Sequence, residues 1–439
     1  MRKYIYILAA ACTLALGSAC AKLDINPLSE TSSENWYKTP QQITMSLNDL
    51  YRIYLYSIEK EYWTDRRTDD WAQRDQVYEM CNGSSTSSTS AFETAWSNTY
   101  KGISRAIRVI ESIEKLGNPS NMDALKAEAY FFRAFFYARM VTLWGDVPFY
   151  TSTFAYEEAF KMGRTDKNII KEQIYKDYDA AIASLPVKND NGGVWRVTKG
   201  TALSMKARYA LAIKDYAEAA ARAKDVIDLG EYSLFPDYGE LFRDKTINQE
   251  IIFAIGRSFA LAPDDTQAIK SWVLRTAGGN GVAQPSWDLL AAYECTDGKI
   301  INDSPLFDPH NPYDNRDPRC CETFAKPGSI VFGVVFNPST TATEVFDEQT
   351  GKMVKNKDTK LNDNYAPYNG CCIRKGVQPE WRTAQYNENP IVICRYADVL
   401  LMYAEAKMEM NDIDQSVLNV INDIRARAYK CERDEVSKY

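Results

Sequence analysis

Histidine is almost missing from this chain: His310 is the only one in 439 residues. Imidazole-based metal binding or triad catalysis would therefore rest on one side chain in a Pro/Asn/Asp-rich loop, with no nucleophile marked beside it. The CxxC spacing of thiolate zinc sites is absent, as are the P-loop, the GxSxG elbow and the dinucleotide fingerprint. After the first twenty residues no apolar run reaches the roughly eighteen residues that suggest a membrane-spanning helix. A basic excess is lacking too. With 52 Lys+Arg against 59 Asp+Glu the net charge is −7, which argues against a nucleic-acid partner, whose phosphates demand a basic surface. Glu61, Asp65, Asp69 and Asp70 could supply a glycosidase-like carboxylate pair. Acids are common in polar loops, however, so no enzymatic activity, catalytic residue or cofactor is expected. Asp303, Asp308 and Asp314 do not have EF-hand spacing, and no metal site is expected either.

What is present begins at the N-terminus. Arg2 and Lys3 precede an apolar run over residues 4–16, and Gly17-Ser18-Ala19 lead into Cys20. The run is too short to cross a bilayer and reads as a secretory signal. Ending on cysteine, it resembles a bacterial lipoprotein signal, although Gly17 stands where such signals usually carry Leu. That resemblance implies removal of residues 1–19, lipidation of Cys20, and a tether over residues 20–40. The other mature cysteines are Cys81, Cys295, Cys320, Cys321, Cys371, Cys372, Cys394 and Cys431. Two adjacent pairs make neighbour-to-neighbour bridges strained, and a chain this long needs no staples, so reduced thiols are the favoured state.

Helical periodicity dominates the body of the chain. Apolar residues recur at helical spacing over residues 41–56, 94–116, 122–144, 169–185, 199–214, 216–229, 395–410 and 417–429. Gly117-Asn118-Pro119 and Gly145-Asp146-Val147-Pro148 are stop signals. Tyr209-Ala210 with Ile227 and Tyr403-Ala404 with Ile421 form two weakly alike units, which suggests tetratricopeptide-type helix pairing. Between residues 258 and 391 Gly, Asn, Asp and Pro break up short apolar runs, the pattern of a loop-rich region with a few short strands. The fold class expected is mainly α: a tetratricopeptide-like helical scaffold (residues 94–257 and 395–430) with an irregular, loop-rich ligand-binding subdomain (258–391).

Several segments in fixed order resemble the SusD/RagB family of outer-membrane lipoproteins from Bacteroidota. They are Leu23-Asp24-Ile25-Asn26-Pro27 after Cys20, and Ala127-Glu128-Ala129-Tyr130-Phe131-Phe132-Arg133-Ala134-Phe135-Phe136-Tyr137 closing at Gly145-Asp146-Val147-Pro148. Thr198-Lys199-Gly200 with Ala207-Arg208 follows, then Glu250-Ile251-Ile252-Phe253, Tyr293-Glu294 with Asp297-Gly298, and Asn315-Arg316-Asp317-Pro318-Arg319. The run 395–406 and Ile421-Asn422-Asp423-Ile424-Arg425-Ala426-Arg427 complete the order. The resemblance implies one SusD-like domain over residues 41–439, and surface exposure at the outer membrane. It implies a role in capturing glycans and delivering them to a SusC-like TonB-dependent transporter. Family members usually continue past the last helix, so the C-terminal part of the domain is expected to be truncated here. The same fold binding peptides or glycopeptides, or a scaffold without a small ligand, are the alternatives.

The chain holds 28 Tyr, 17 Phe and 9 Trp, and an aromatic, charged patch at residues 61–71 stands apart from the helices. The resemblance places this segment among those that contribute to glycan binding. Sugar C–H faces stack on indole rings while hydroxyls pair with carboxylates and guanidiniums. Trp63 and Trp71 are the expected platforms, with Arg67, Asp69 and Asp70 as polar clamps and Trp272 as a further contributor. Arg133 reads as a buried ion-pair partner of Glu128 or Glu405, and residues 315–319 as a structural corner.

Overall fold

The computed structural model describes residues 36–59, 65–74, 79–188, 196–244, 248–260, 267–367 and 369–439. Residues 1–35, with Cys20 and the signal, and residues 60–64, with Trp63, lie outside them. Eight longer helices carry the fold: α1 Pro40–Asn48, α2 Ser90–Lys115, α3 Asp123–Trp144, α4 Lys167–Ser184, α5 Lys199–Ala212, α6 Tyr216–Leu229, α7 Tyr396–Glu409 and α8 Gln415–Tyr429. Their starts follow local chemistry. Thr39 Oγ1 accepts from Gln42 N while the Gln42 side chain accepts from Thr39 N, a reciprocal cap on α1. Asp166, Thr198 and Asp414 cap α4, α5 and α8 through their side-chain oxygens.

Helix α3 explains why the scaffold closes. Its Ala and Phe residues leave almost no polar face, and Phe131, Phe132, Phe135 and Phe136 are all buried. It packs against both α2 and α4. Gly102 on α2 lets the helices approach: a Cβ there would lie 2.4 Å from the Phe136 ring. Helix α5 packs on α6, α6 on α7, and α7 on α8. The two similar helix pairs are thus contiguous in space although α6 ends at Leu229 and α7 begins only at Tyr396.

That continuity is possible because the insertion leaves and returns at one place. Strand β2 (Ile251–Ile255) pairs antiparallel with β10 (Ile391–Arg395), Ile391 opposite Ile255 and Arg395 opposite Ile251. Between them lie β3 (Gln267–Ala268), β4 (Ala283–Pro285), a meander β5–β8 (Ile330–Val331, Val334–Val335, Glu344–Asp347, Lys352–Lys355) and β9 (Tyr386–Asn387). The apolar run at residues 330–336 folds into the β5–β6 hairpin. The insertion has its own core of Trp272, Val273, Phe332, Phe336 and Trp381.

Buried ion pairs stitch these parts together, and one differs from expectation. Arg133 meets neither Glu128 nor Glu405; its Nε and Nη2 hold Asp177 of α4 at 2.7 and 2.8 Å. Glu128 instead takes Arg196 and the Tyr51 hydroxyl, the latter at 2.7 Å. Glu128 lies five residues before Arg133 on the same helix and so on a different face, whereas Asp177 comes from the neighbouring α4, and helical spacing alone does not show which residue of a neighbour faces a given side chain. The 315–319 segment is a corner: Arg316 donates to the carbonyls of Pro312, Leu290 and Tyr293, while Asp317 caps the next turn and pairs with Arg319. The cysteines from Cys81 to Cys431 are free thiols. Among the described residues no helix is long and apolar enough to cross a membrane.

Candidate functional site

The patch at residues 65–74 docks onto the insertion through strand pairing. Strand β1 (Trp71–Gln73) runs antiparallel to β4, with Trp71 opposite Pro285 and Gln73 opposite Ala283. Ser286 N donates to the Asp70 carbonyl at 2.9 Å and Arg74 N to the Val282 carbonyl at 3.4 Å, extending the ladder at both ends. The loop before β4 is tight because Gly279 permits it: a Cβ there would sit 2.1 Å from the Val273 carbonyl oxygen.

This pairing brings together Trp71 and Trp272, two of the expected residues, but in different roles. Their rings meet edge to face at 5.2 Å and 74°, a favourable aromatic geometry. The Arg66 guanidinium sits 5.6 Å from the Trp71 ring and 5.3 Å from the Trp272 ring. Trp272 is only 3% exposed and belongs to the insertion core, so it supports Trp71 from beneath. Trp71 is half-buried, as is Arg67, while Asp69 and Asp70 are exposed on the turn just before the strand. Partial burial and the adjacent Asp69 charge raise the Asp70 pKa above the usual carboxylate value, against an opposing pull from Lys375.

Two exposed aromatics that sequence reasoning missed complete the face. Trp287, 50% exposed, follows β4 by two residues and donates its indole N–H to the Asn369 carbonyl at 2.8 Å. Asn369 in turn donates from Nδ2 to the Pro285 carbonyl at 2.8 Å, beside Trp71. Tyr365, 63% exposed, lies near the guanidiniums of Arg74 and Arg275 at 5.6 and 5.5 Å. Arg74 Nη1 also donates to the carbonyls of Asn280 and Tyr365, and Arg275 is held by Asp363 at 2.7 Å. Arg74 therefore ties the far end of β1 to Tyr365 as Asn369 ties the near end to Trp287. The signal in sequence was the density of Asn, Gly and aromatics at residues 280–287 and 362–370, but only the β1–β4 pairing joins them to Trp71.

A larger concavity of about 760 Å³ lies between scaffold and insertion, walled by Phe135, Leu143, Met205, Leu241, Leu401 and Trp381 among others. Three of its basic residues are held in ion pairs, Arg139 with Glu59 at 2.6 Å, Arg208 with Asp398, and Arg395 with Glu250 at 2.7 Å, and Lys375 lies 4.3 Å from the Phe242 ring. The Tyr178 and Tyr209 hydroxyls on its wall have no hydrogen-bond partner among the described residues, but of the two surfaces the Trp71 face alone presents exposed rings flanked by polar groups, the arrangement that sugar stacking uses.

Fold and face together define a tetratricopeptide-like helical scaffold carrying an irregular insertion with an aromatic surface. The chain belongs to the SusD/RagB family. The SusD family model matches residues 251–436, and a second model, described as starch-binding associating with outer membrane, matches residues 23–211. SusD-like protein P25 of Formosa agariphila is 26% identical over 361 residues, 77% of this chain and 62% of that protein, so the chain spans less than two thirds of this relative's length. Among solved structures, a SusD-like carbohydrate-binding protein of Bacteroides fragilis superposes with a TM-score of 0.72 at 24% identity, over 89% of this chain and 79% of that one. Another, solved with xylogluco-oligosaccharide, gives a TM-score of 0.65 at 19% identity over 89% and 76% of the two chains.

Proposed function

We propose that this protein is a cell-surface lipoprotein that binds oligosaccharides at the Trp71–Trp287–Tyr365 face. It passes them to a SusC-like TonB-dependent transporter in the outer membrane. The observation that carries the reading is three partly or largely exposed aromatic rings linked to the β1–β4 pair, each fixed by a hydrogen bond, a packed neighbour or a guanidinium. Fixed rings stack on sugar C–H faces with little ordering entropy to lose. Asp69, Asp70 and Arg67 stand beside Trp71 to bond hydroxyls, and Trp63 belongs to the segment just before them. Support comes also from the relatives, one described as carbohydrate-binding and one solved with a xylogluco-oligosaccharide. The same reading makes Cys20 the lipid anchor, residues 20–40 the leash, and binding rather than catalysis the activity.

Affinity electrophoresis through gels cast with xyloglucan, laminarin or starch tests it. Retention of the wild type by at least one polysaccharide, reduced in Trp287→Ala and in Tyr365→Ala, is the expected result. Equal retention of wild type and both variants removes the site, and no retention on any polysaccharide removes the glycan. Co-purification with a TonB-dependent transporter, lost in Cys20→Ala cells, tests the delivery step.

A further inference from the structure

The aromatic face depends on a side chain that neither stacks nor carries charge. Asn369 makes three bonds at once: its carbonyl accepts from Trp287 Nε1 at 2.8 Å, its Nδ2 donates to the Pro285 carbonyl at 2.8 Å, and its Oδ1 accepts from Cys371 N at 3.0 Å. Pro285 is the residue opposite Trp71 in the β1–β4 pair. One short path, Trp71–Pro285–Asn369–Trp287, therefore links the two indoles through backbone pairing and two hydrogen bonds. Tyr365 lies four residues upstream on the same loop, where its backbone N–H donates to Asp363 Oδ1 at 2.8 Å.

We infer that Asn369 is a positioning residue that sets the separation of the Trp71 and Trp287 rings, and so makes the face read two neighbouring sugar units of a chain together. This rests on the oligosaccharide-binding reading given above. Without the Nδ2 bond Asn369 is no longer tied to β4, the strand paired with Trp71, and Trp287 follows the Asn369 carbonyl. Each ring still stacks on one sugar, but the two no longer act on one rigid chain, and the gain from linked contacts falls.

The test uses the protein with 5-fluorotryptophan in place of Trp, with the Trp287 ¹⁹F resonance assigned by Trp287→Phe. Asn369→Asp keeps an acceptor for Cys371 N and sets an anionic oxygen against the Pro285 carbonyl; Asn369→Ala removes both bonds. Both variants should shift or broaden the Trp287 resonance and leave that of Trp381, in the insertion core, in place. In calorimetric titrations with cello- or xylogluco-oligosaccharides of increasing length, the wild-type affinity should rise steeply once the chain spans both rings. In Asn369→Asp the longer chains should lose about tenfold, or about 1.4 kcal/mol, while the shortest binding unit changes by less than about twofold. An unmoved Trp287 resonance in both variants overturns the positioning role. A uniform loss at every chain length overturns the two-unit reading. Wild type that binds no oligosaccharide overturns the binding function itself, and the ¹⁹F result still decides whether Asn369 positions Trp287.

Discussion

Replacing Glu250 by Ala should remove a large part of the stability of the whole domain. Glu250 is 0% exposed and its carboxylate accepts from Arg395 Nη1 at 2.7 Å, Arg427 Nη1 at 2.9 Å and the Phe235 N–H at 2.7 Å. These partners come from the end of β10, from α8 and from the loop after α6. One buried anion therefore holds the returning end of the insertion against both helix pairs. Deleting it leaves two guanidiniums facing each other with no counter-charge. Removing one partner of a buried ion pair costs about 3–5 kcal/mol, and two orphaned cations place this site at the upper end. Domains of this kind have about 5–15 kcal/mol in all. Urea unfolding followed by circular dichroism and by Trp fluorescence measures the change, with coincident transitions required of both probes. The double variant Glu250→Met/Arg427→Met should recover part of the loss, because replacing charges by apolar groups removes the desolvation cost on both sides. A loss below about 1 kcal/mol in Glu250→Ala, or a double variant equal to the sum of the singles, refutes the reasoning.

Gly102→Ala should destabilise by about 1–3 kcal/mol through overpacking, because the new Cβ would lie 2.4 Å from Phe136; thermal melts measure it. Gly279→Ala should displace the loop that carries β4, since its Cβ would lie 2.1 Å from the Val273 carbonyl oxygen, and should weaken oligosaccharide retention without unfolding the helices. Asp347 is bonded by both Nη atoms of Arg382 at 2.7 Å, which hold its carboxyl below the usual carboxylate range. A depressed carboxyl adds stability that is complete above its unfolded pKa of about 4 and is lost as pH falls through the folded value. Wild type should therefore exceed Asp347→Asn by a constant margin from neutral pH to about pH 5, and the margin should shrink below about pH 4; denaturant titrations at each pH check it.

The scaffold was legible because helices bury a periodic face. The 216–229 segment matches α6 residue for residue, and the other helices differ by a few residues at their ends, where capping chemistry and not periodicity sets the limit. Residues 41–56 are the exception. The α-helix stops at Asn48 and two shorter single-turn helices follow, Asp49–Tyr51 and Ile53–Tyr56, so apolar spacing persisted after the geometry had changed. Trp71 and Trp272 were each legible as candidate contacts, but not their packing on one another or the burial of Trp272, because exposure depends on what packs behind each ring. Trp287 and Tyr365 were not legible: their place beside Trp71 comes from pairing between residues more than two hundred apart in sequence, which leaves no local pattern.

A crystal structure of the protein with a bound xylogluco-oligosaccharide is the most direct test of the central claim. Sugar rings should stack on Trp71 and Trp287, with Tyr365 at the far end and Asp69 or Asp70 bonded to hydroxyls. Density for the sugar in the cavity between scaffold and insertion, with the Trp287 ring bare, would contradict it.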